Sequence, residues 1–150
     1  MRLKSNFFLF LYIFLIIAIG SGCGVSHDKE NIYSNNDIIA QEADNFSFRT
    51  RKDTGDSKDE VNIKYSGFYG ADTIWIIEAE EDEEIMLKYN SNVKGGEFKV
   101  VLINPKKEIE NILVGTKQGD KTIKLTKGKY VIKIVGRNAK GEINITRSKI

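Results

Sequence analysis

Cys23 is the one thiol in this 150-residue chain, and its setting limits what that thiol can do. It follows an uncharged apolar run, Phe7 to Ile19, and then Gly20, Ser21 and Gly22. A thiol can be acylated, oxidised or metallated; nucleophilic catalysis would also need a base beside it. His27, four residues on, is the only histidine. A catalytic base has to be held by packing, so a histidine this close to the apolar run reads as a solvated residue. One Cys and one His do not make a zinc site. No glycine-rich phosphate loop leads into a helix.

Three other groups of side chains could do chemistry. Glu78, Glu80, Glu81, Asp82, Glu83 and Glu84 offer carboxylates to Ca²⁺, which takes roughly six to eight oxygens. Their spacing follows no Ca²⁺ loop, and the run reads as a solvated hairpin turn whose charges block strand addition. Lys121, Lys124, Lys127, Lys129, Lys133 and Lys140 gather on neighbouring segments. If those strands pair, Lys124, Lys129 and Lys133 share an outward face, the candidate site for an anionic polymer or lipid headgroups. The alternative is edge protection and solubility. Trp75, Tyr65, Phe68, Tyr69 and Tyr89 read as core rather than as a sugar platform. No acid, base and nucleophile can be named together, so the expectation is a chain that is not an enzyme and takes no cofactor or metal.

Arg2 and Lys4, the apolar run and the small residues before Cys23 have the layout of a secretory leader. The end of that leader resembles the lipobox of bacterial lipoproteins. Ser21, Gly22 and Cys23 match it, Gly20 stands where Leu is usual, and Ile19 precedes it. The resemblance implies cleavage before Cys23, a diacylglycerol on its thiol, palmitate-type acylation, and a place on the extracytoplasmic face of the cell membrane. Two alternatives stand beside it. A helix over the thirteen apolar residues reaches about 20 Å, short of a bilayer core of about 30 Å. Secretion without lipid would leave an unpaired thiol in an oxidising space.

Removing residues 1–22 leaves one domain's worth of chain. Arg2 and Lys4 leave with the leader, so the remainder holds 21 basic and 21 acidic residues. A neutral total gives no general attraction to nucleic acid. The charges are unevenly spread: residues 24–84 sum to −10 and residues 85–150 to +10. Such asymmetry points to an interaction surface, unless the two halves interleave in space and cancel.

Residues 23–59 read as a tether. Within them Asn36 could cap a two-turn helix to Ala43, Phe46 and Phe48 could add a strand, and Arg51 to Asp59 reads as linker. A flexible stretch of that length would reach about 30–35 Å on average. From Glu60 the apolar period is two. The runs are Val61 to Tyr65, Thr73 to Ile77, Ile85 to Tyr89, Phe98 to Ile103, Ile123 to Leu125, Tyr130 to Ile134 and Ile143 to Ile145. Ile109, Ile112 and Leu113 break strict alternation. Ile74 and Ile76 make the Thr73 strand apolar on both faces. Turn residues fall between the runs, at Gly67 to Gly70, Lys94 to Gly96, Asn104 to Lys107, Lys117 to Asp120, Lys127-Gly128 and Arg137 to Gly141. Seven or eight short strands at such spacing predict an all-β fold, an antiparallel β-sandwich of jelly-roll or Ig-like type, over residues 60–150. A chain starting near Asp59 is expected to hold the whole core.

Gly128-Lys129-Tyr130 to Gly136 and then Gly141-Glu142-Ile143-Asn144-Ile145 resemble the closing hairpin of prepeptidase C-terminal-type sandwiches, with Ile143 in place of the usual aromatic. Phe98 to Pro105 is similar to the strand and Asn-Pro turn that precede it there. The chain also resembles uncharacterised lipoproteins of clostridia and bacilli, Gram-positive bacteria. The resemblances imply a non-catalytic accessory or binding module of the cell envelope. Its expected partners are the membrane, through lipid on Cys23, and a cell-wall polymer, a glycan or an envelope protein, with no nucleic acid. The rival expectation is an assembly subunit that docks another envelope protein through a sheet edge. Replacing Cys23 with Ala should move the protein from the membrane fraction to the medium or wall fraction; retention of the variant in the membrane, together with an unprocessed mass for the native chain, would mean that the apolar run itself is the anchor.

Overall fold

Three strands carry the architecture, each far longer than the usual strand of about five or six residues. The computed structural model describes residues 27–150; Cys23 and the leader lie outside them. The elements are α1 (His27–Ile32), α2 (Asn36–Ile39), β1 (Asn45–Ser47), β2 (Thr50–Asp53), β3 (Glu60–Ala79), β4 (Glu83–Ile103), β5 (Ile109–Val114), β6 (Lys117–Leu125) and β7 (Gly128–Lys149). All strand pairs are antiparallel, and β7 lies between β3 and β4.

The long strands bend together. Gly70 of β3 faces Gly136 of β7, and Gly141 of β7 faces both Tyr65 of β3 and Val93 of β4. The register slips in β3 between Tyr65 and Gly70 and in β4 between Val93 and Glu97. These bulges lie in one line across the three strands and fold the sheet over itself. On one side of the line the order is β2-β3-β7-β4-β6, and on the other β1-β3-β7-β4-β5. The result is an antiparallel β-sandwich whose layers share their three central strands. Gly67–Gly70, Lys94–Gly96 and Arg137–Gly141, expected as turns between separate short strands, are these bends. Glycine is needed there for space: a Cβ on Gly136 would sit 2.4 Å from Phe68 Cδ1, and one on Gly96, at φ +68°, would sit 2.1 Å from Asn138 O.

The bend also changes which residues point inward. In β4 the inward residues are Leu87, Tyr89 and Ser91 before it and Phe98, Val100 and Leu102 after it. In β7 they are Ile132 and Ile134, then Ala139, Ile143 and Ile145. Both layers thereby feed one core, in which Tyr65 of one layer stacks on Phe98 of the other at 4.8 Å. Trp75, Tyr65, Phe68 and Tyr89 are core residues, and Tyr69 is half-buried. The broken alternation at Ile112 and Leu113 is a register shift against Val100 and Val101, which buries both.

Residues 23–59 are not a tether over the described part. α1 and α2 lie on the outer face of the β1 layer, where Ile32 and Ile39 pack against Ala71, Val101, Ile103 and Val135. Fully burying two such side chains contributes roughly 3–6 kcal/mol, an upper figure for a real unfolded chain. Tyr33 adds a ring under Lys99 Nζ and the Arg137 guanidinium, at 4.7 and 5.2 Å. α2 is shorter than expected and is capped by Asn35, whose side chain accepts from Ile38 N at 3.2 Å. Phe46 lies in the added strand β1, and Arg51 to Asp53 belong to β2 rather than to a linker. Burial on both faces falls on Val101, Ile103 and Val135, not on Ile76, which is 55% exposed. A chain starting near Asp59 would lack this cover.

Lys133 fastens the cover. It is 1% exposed, and its Nζ donates to Gln41 O at 2.8 Å and meets Asp44 Oδ1 at 2.9 Å. Asp44 also accepts from Thr73 N and Thr73 Oγ1, at 3.1 and 2.7 Å. Burial alone would raise the Asp44 pKa, but the bonds from Lys133 and Thr73 outweigh it and hold the carboxyl below its ordinary value. Its contribution is therefore complete above the usual carboxylate pKa of about 4 and is lost as pH falls through the lower folded-state value. Lys133→Met should cost about 1–3 kcal/mol and open residues 27–44 to limited proteolysis at neutral pH. The native chain should resist the same cleavage down to about pH 4 and lose that resistance only below it; equal protection of the two proteins would show that the ion pair does not hold the segment.

Candidate anion-binding cleft

The bend leaves a concave surface on its outer side. Arg49 precedes β2, Arg51 and Lys52 lie in it, Lys64 is in β3, Lys94 is in β4, and Lys140 and Glu142 are in β7. These side chains line an open cleft of about 580 Å³, with Gly67, Gly95, Gly96 and Gly141 between them. The glycines that let the strands bend also leave the cleft without side chains on its floor. Thr50 and Ser66 tie β2 to β3 there through a hydroxyl pair at 2.6 Å.

Not every cation in the cleft is available. Arg51 Nη1 donates to the buried Asp72 at 2.6 Å, its Nε donates to Asp53 at 2.9 Å, and its guanidinium lies over the Phe48 ring. Burial alone would lower the Arg51 pKa; the bonds to Asp53 and Asp72 raise it instead, so Arg51 is a neutralised clasp between the layers. Burial pushes the Asp72 carboxyl above its usual value even with Arg51 against it. Lys64 lies 3.5 Å from Glu142. Arg49, Lys52, Lys94 and Lys140 make no ion pair among the described residues and are exposed. Below them Tyr65 has a buried hydroxyl with no hydrogen-bond partner, and burial together with Glu142 raises its pKa, so it stays protonated.

The face expected from Lys124, Lys129 and Lys133 does not form. β6 and β7 are not neighbours, because β4 separates them. Lys124 is exposed on the β6 layer and lies 3.5 Å from Glu84. Lys129 is on the other layer, 3.8 Å from Glu42, and Lys133 is buried under the N-terminal segment. The alternation that put them on one face assumed that consecutive strands pair.

The acidic run lies in the β3–β4 connection, which crosses from one layer to the other at the end of the sandwich opposite the bend; it is not the hairpin turn expected, because β7 separates β3 from β4. Glu83 and Glu84 pair with Lys149 and Lys124, and Glu81 and Asp82 are exposed. Among the described residues no three His, Cys, Asp or Glu side chains gather as a metal site. His27 opens α1. Arg49, Lys52 and Lys94 were missed as site residues. The signal was there, in Arg49-Thr50-Arg51-Lys52 and in the lysines beside the glycines of Lys94-Gly95-Gly96 and Lys140-Gly141. It could be read only once those glycines were known to be one bend.

No family model and no curated protein matches this chain. Among solved structures it is similar to the carbohydrate binding module (CBM6cm-2) from Cellvibrio mixtus lichenase 5A in complex with cellotriose. The TM-score is 0.38 and the identity 13%, over 74% of this chain and 95% of that one. The enzymatically active domain of bacteriophage CBA120 tailspike protein 4 gives 0.38 and 11%, over 82% of this chain and 21% of that one. The Podospora anserina GH26-CBM35 beta-(1,4)-mannanase gives 0.36 and 15%, over 74% of this chain and 27% of that one. At these scores no ligand and no residue role passes to this chain.

The cleft can be filled without bending the backbone. A Cβ on Gly95 meets only Lys140 Cβ, at 4.0 Å, whereas the adjacent Gly96 has no such room. Gly95→Trp should keep the melting temperature within a degree or two, and Gly96→Trp should lower it by several degrees. Equal losses in both would place the Gly95 side chain against structure rather than in the cleft.

Proposed function

We propose that this chain is a lipid-anchored, non-catalytic binding module on the extracytoplasmic face of a bacterial membrane, with its ligand held in the cleft over the bend. The observation that carries the reading is a glycine-floored cleft of about 580 Å³ in which four exposed cations, Arg49, Lys52, Lys94 and Lys140, lack ion-pair partners among the described residues. The leader and Cys23 support the anchor. Cys23 is four residue steps from His27, the start of α1, a span of at most about 14 Å. With lipid on Cys23 the sandwich would therefore sit close to the headgroups, where an expected tether would have held it some 30–35 Å away. The rival reading, docking through a sheet edge, is opposed by Lys117, Lys121 and Lys124 along the edge strand β6, which hinder strand addition.

The test is an array of envelope polysaccharides and charged polymers probed with the unlipidated chain from residue 24 and with Gly95→Trp. Binding by the native chain that the tryptophan abolishes is expected. Binding that the tryptophan leaves intact would move the site elsewhere, and stoichiometric capture of an envelope protein with no polymer bound would favour the assembly reading.

A further inference from the structure

We infer that the ligand of the cleft is a linear polyanion, an envelope polymer with a phosphodiester or a carboxylate on each repeat. The inference rests on the proposed reading of the cleft as the binding site and adds the chemistry of what enters it.

Charge balance points there first. Ion pairs between the acidic and basic halves neutralise much of the molecule: Lys64–Glu142, Lys107–Glu42, Lys124–Glu84, Lys129–Glu42, Lys133–Asp44, Arg147–Asp59 and Lys149–Glu83. Over the bend Lys64–Glu142 takes up one cation of the cleft, and four others make no ion pair among the described residues. Arg49 with Lys52, then Lys94, then Lys140 come from three separate places in the chain, and the fold sets them around one concavity whose carboxylate, Glu142, lies against Lys64. The exposed Glu81 and Asp82 lie at the far end of the same strands, about 30 Å away at strand rise. The fold thus gathers unpaired positive charge around one concavity, a distribution that draws a polyanion to the cleft.

The shape of the site narrows the class. All four cations are exposed, so no buried charge fixes a single small anion; charges spread along an open cleft match a repeating one. Tyr65 is the aromatic residue that lines the cleft, and it is 3% exposed, which leaves no ring on which a neutral sugar or a nucleobase could stack. A cleft admits a chain, whereas the plane of a bilayer meets only its rims. Lysines with free rotation hold a point charge and do not select the acid that bears it, so phosphodiester and carboxylate polymers remain two sources of one chemistry.

The test uses the unlipidated chain from residue 24 against poly(glycerol phosphate), polygalacturonate, a neutral β-glucan, single-stranded DNA and vesicles of anionic phospholipid, at salt from about 50 to 300 mM. One or both of the two polymers should bind, and the logarithm of affinity should fall with that of salt at a slope of about −3 if four counterions are released. Lys94→Gln with Lys140→Gln should weaken binding at least about tenfold and roughly halve the slope. Lys106→Gln with Lys127→Gln, outside the cleft, should change neither. Binding of the neutral glucan that is insensitive to salt, lost in Gly95→Trp and kept in the Lys94 and Lys140 variant, would overturn the polyanion and leave the cleft as the site. Tighter retention of vesicles would likewise overturn it, whereas tighter retention of DNA, itself a phosphodiester polyanion, would keep the chemistry and overturn the envelope polymer as its source. Absence of any binding that Gly95→Trp removes would overturn both the polyanion and the cleft.

Discussion

The bend across β3, β4 and β7 is the constraint on which the rest of this protein depends. A strand of about twenty residues cannot contribute to both layers of a sandwich unless it turns, and three neighbouring strands must turn at the same level to keep their ladder. Bulges do this by shifting the register, and glycines supply the space, as the contact of Gly136 with the Phe68 ring shows. The shifts also move the inward set from odd to even positions in β4 and from even to odd in β7. Without them one layer would present its polar face to the core. Because the bend removes side chains from its own outer surface, the feature that closes the core also opens the cleft.

Charge is arranged by the same topology. β7, from the basic half of the sequence, runs between β3 and β4. Opposite charges far apart in sequence become neighbours, as Arg147–Asp59 and Lys149–Glu83 show. Most of these pairs are exposed and contribute little each. Their effect is to leave residual charge only where the topology supplies no partner. Lys133 is the exception, since a buried ammonium needs its acceptors, and Gln41 O and Asp44 provide them only while the N-terminal segment is docked.

That segment decides how the domain meets its surroundings. Ile32 and Ile39 cover an outer face that is apolar because Val101, Ile103 and Val135 point away from the core. Within the sheet, Trp75 of β3 donates to Lys58 O, and Arg147 of β7 lies over its ring, which pins the loop before β3. The described chain is therefore ordered onto the sandwich from α1 onward.

Periodicity in the sequence was enough to predict an antiparallel sandwich, because an apolar residue at every second position can be buried in only one way. The inward sets Leu87/Tyr89, Ile132/Ile134 and Ile143/Ile145 follow directly from it. Leader layout, the neutral total and the uneven charge were also legible, since they need no coordinates. What alternation could not reveal was continuity. A glycine pair reads the same in a hairpin turn and in a bent strand, and only pairing with neighbouring strands tells them apart. From that ambiguity came seven or eight separate strands, a tether where two helices and two strands dock, and a lysine face that β4 divides. The second apolar face of β4 and β7 was visible as Val101, Ile103 and Val135, but nothing local says that Ile32 and Ile39 will cover it. The cleft lay beyond the sequence for the same reason. Arg49, Lys52, Lys94 and Lys140 are scattered over about ninety residues of chain, and only the shared bend brings them to one surface, because proximity across a sheet is set by register and not by order along the chain.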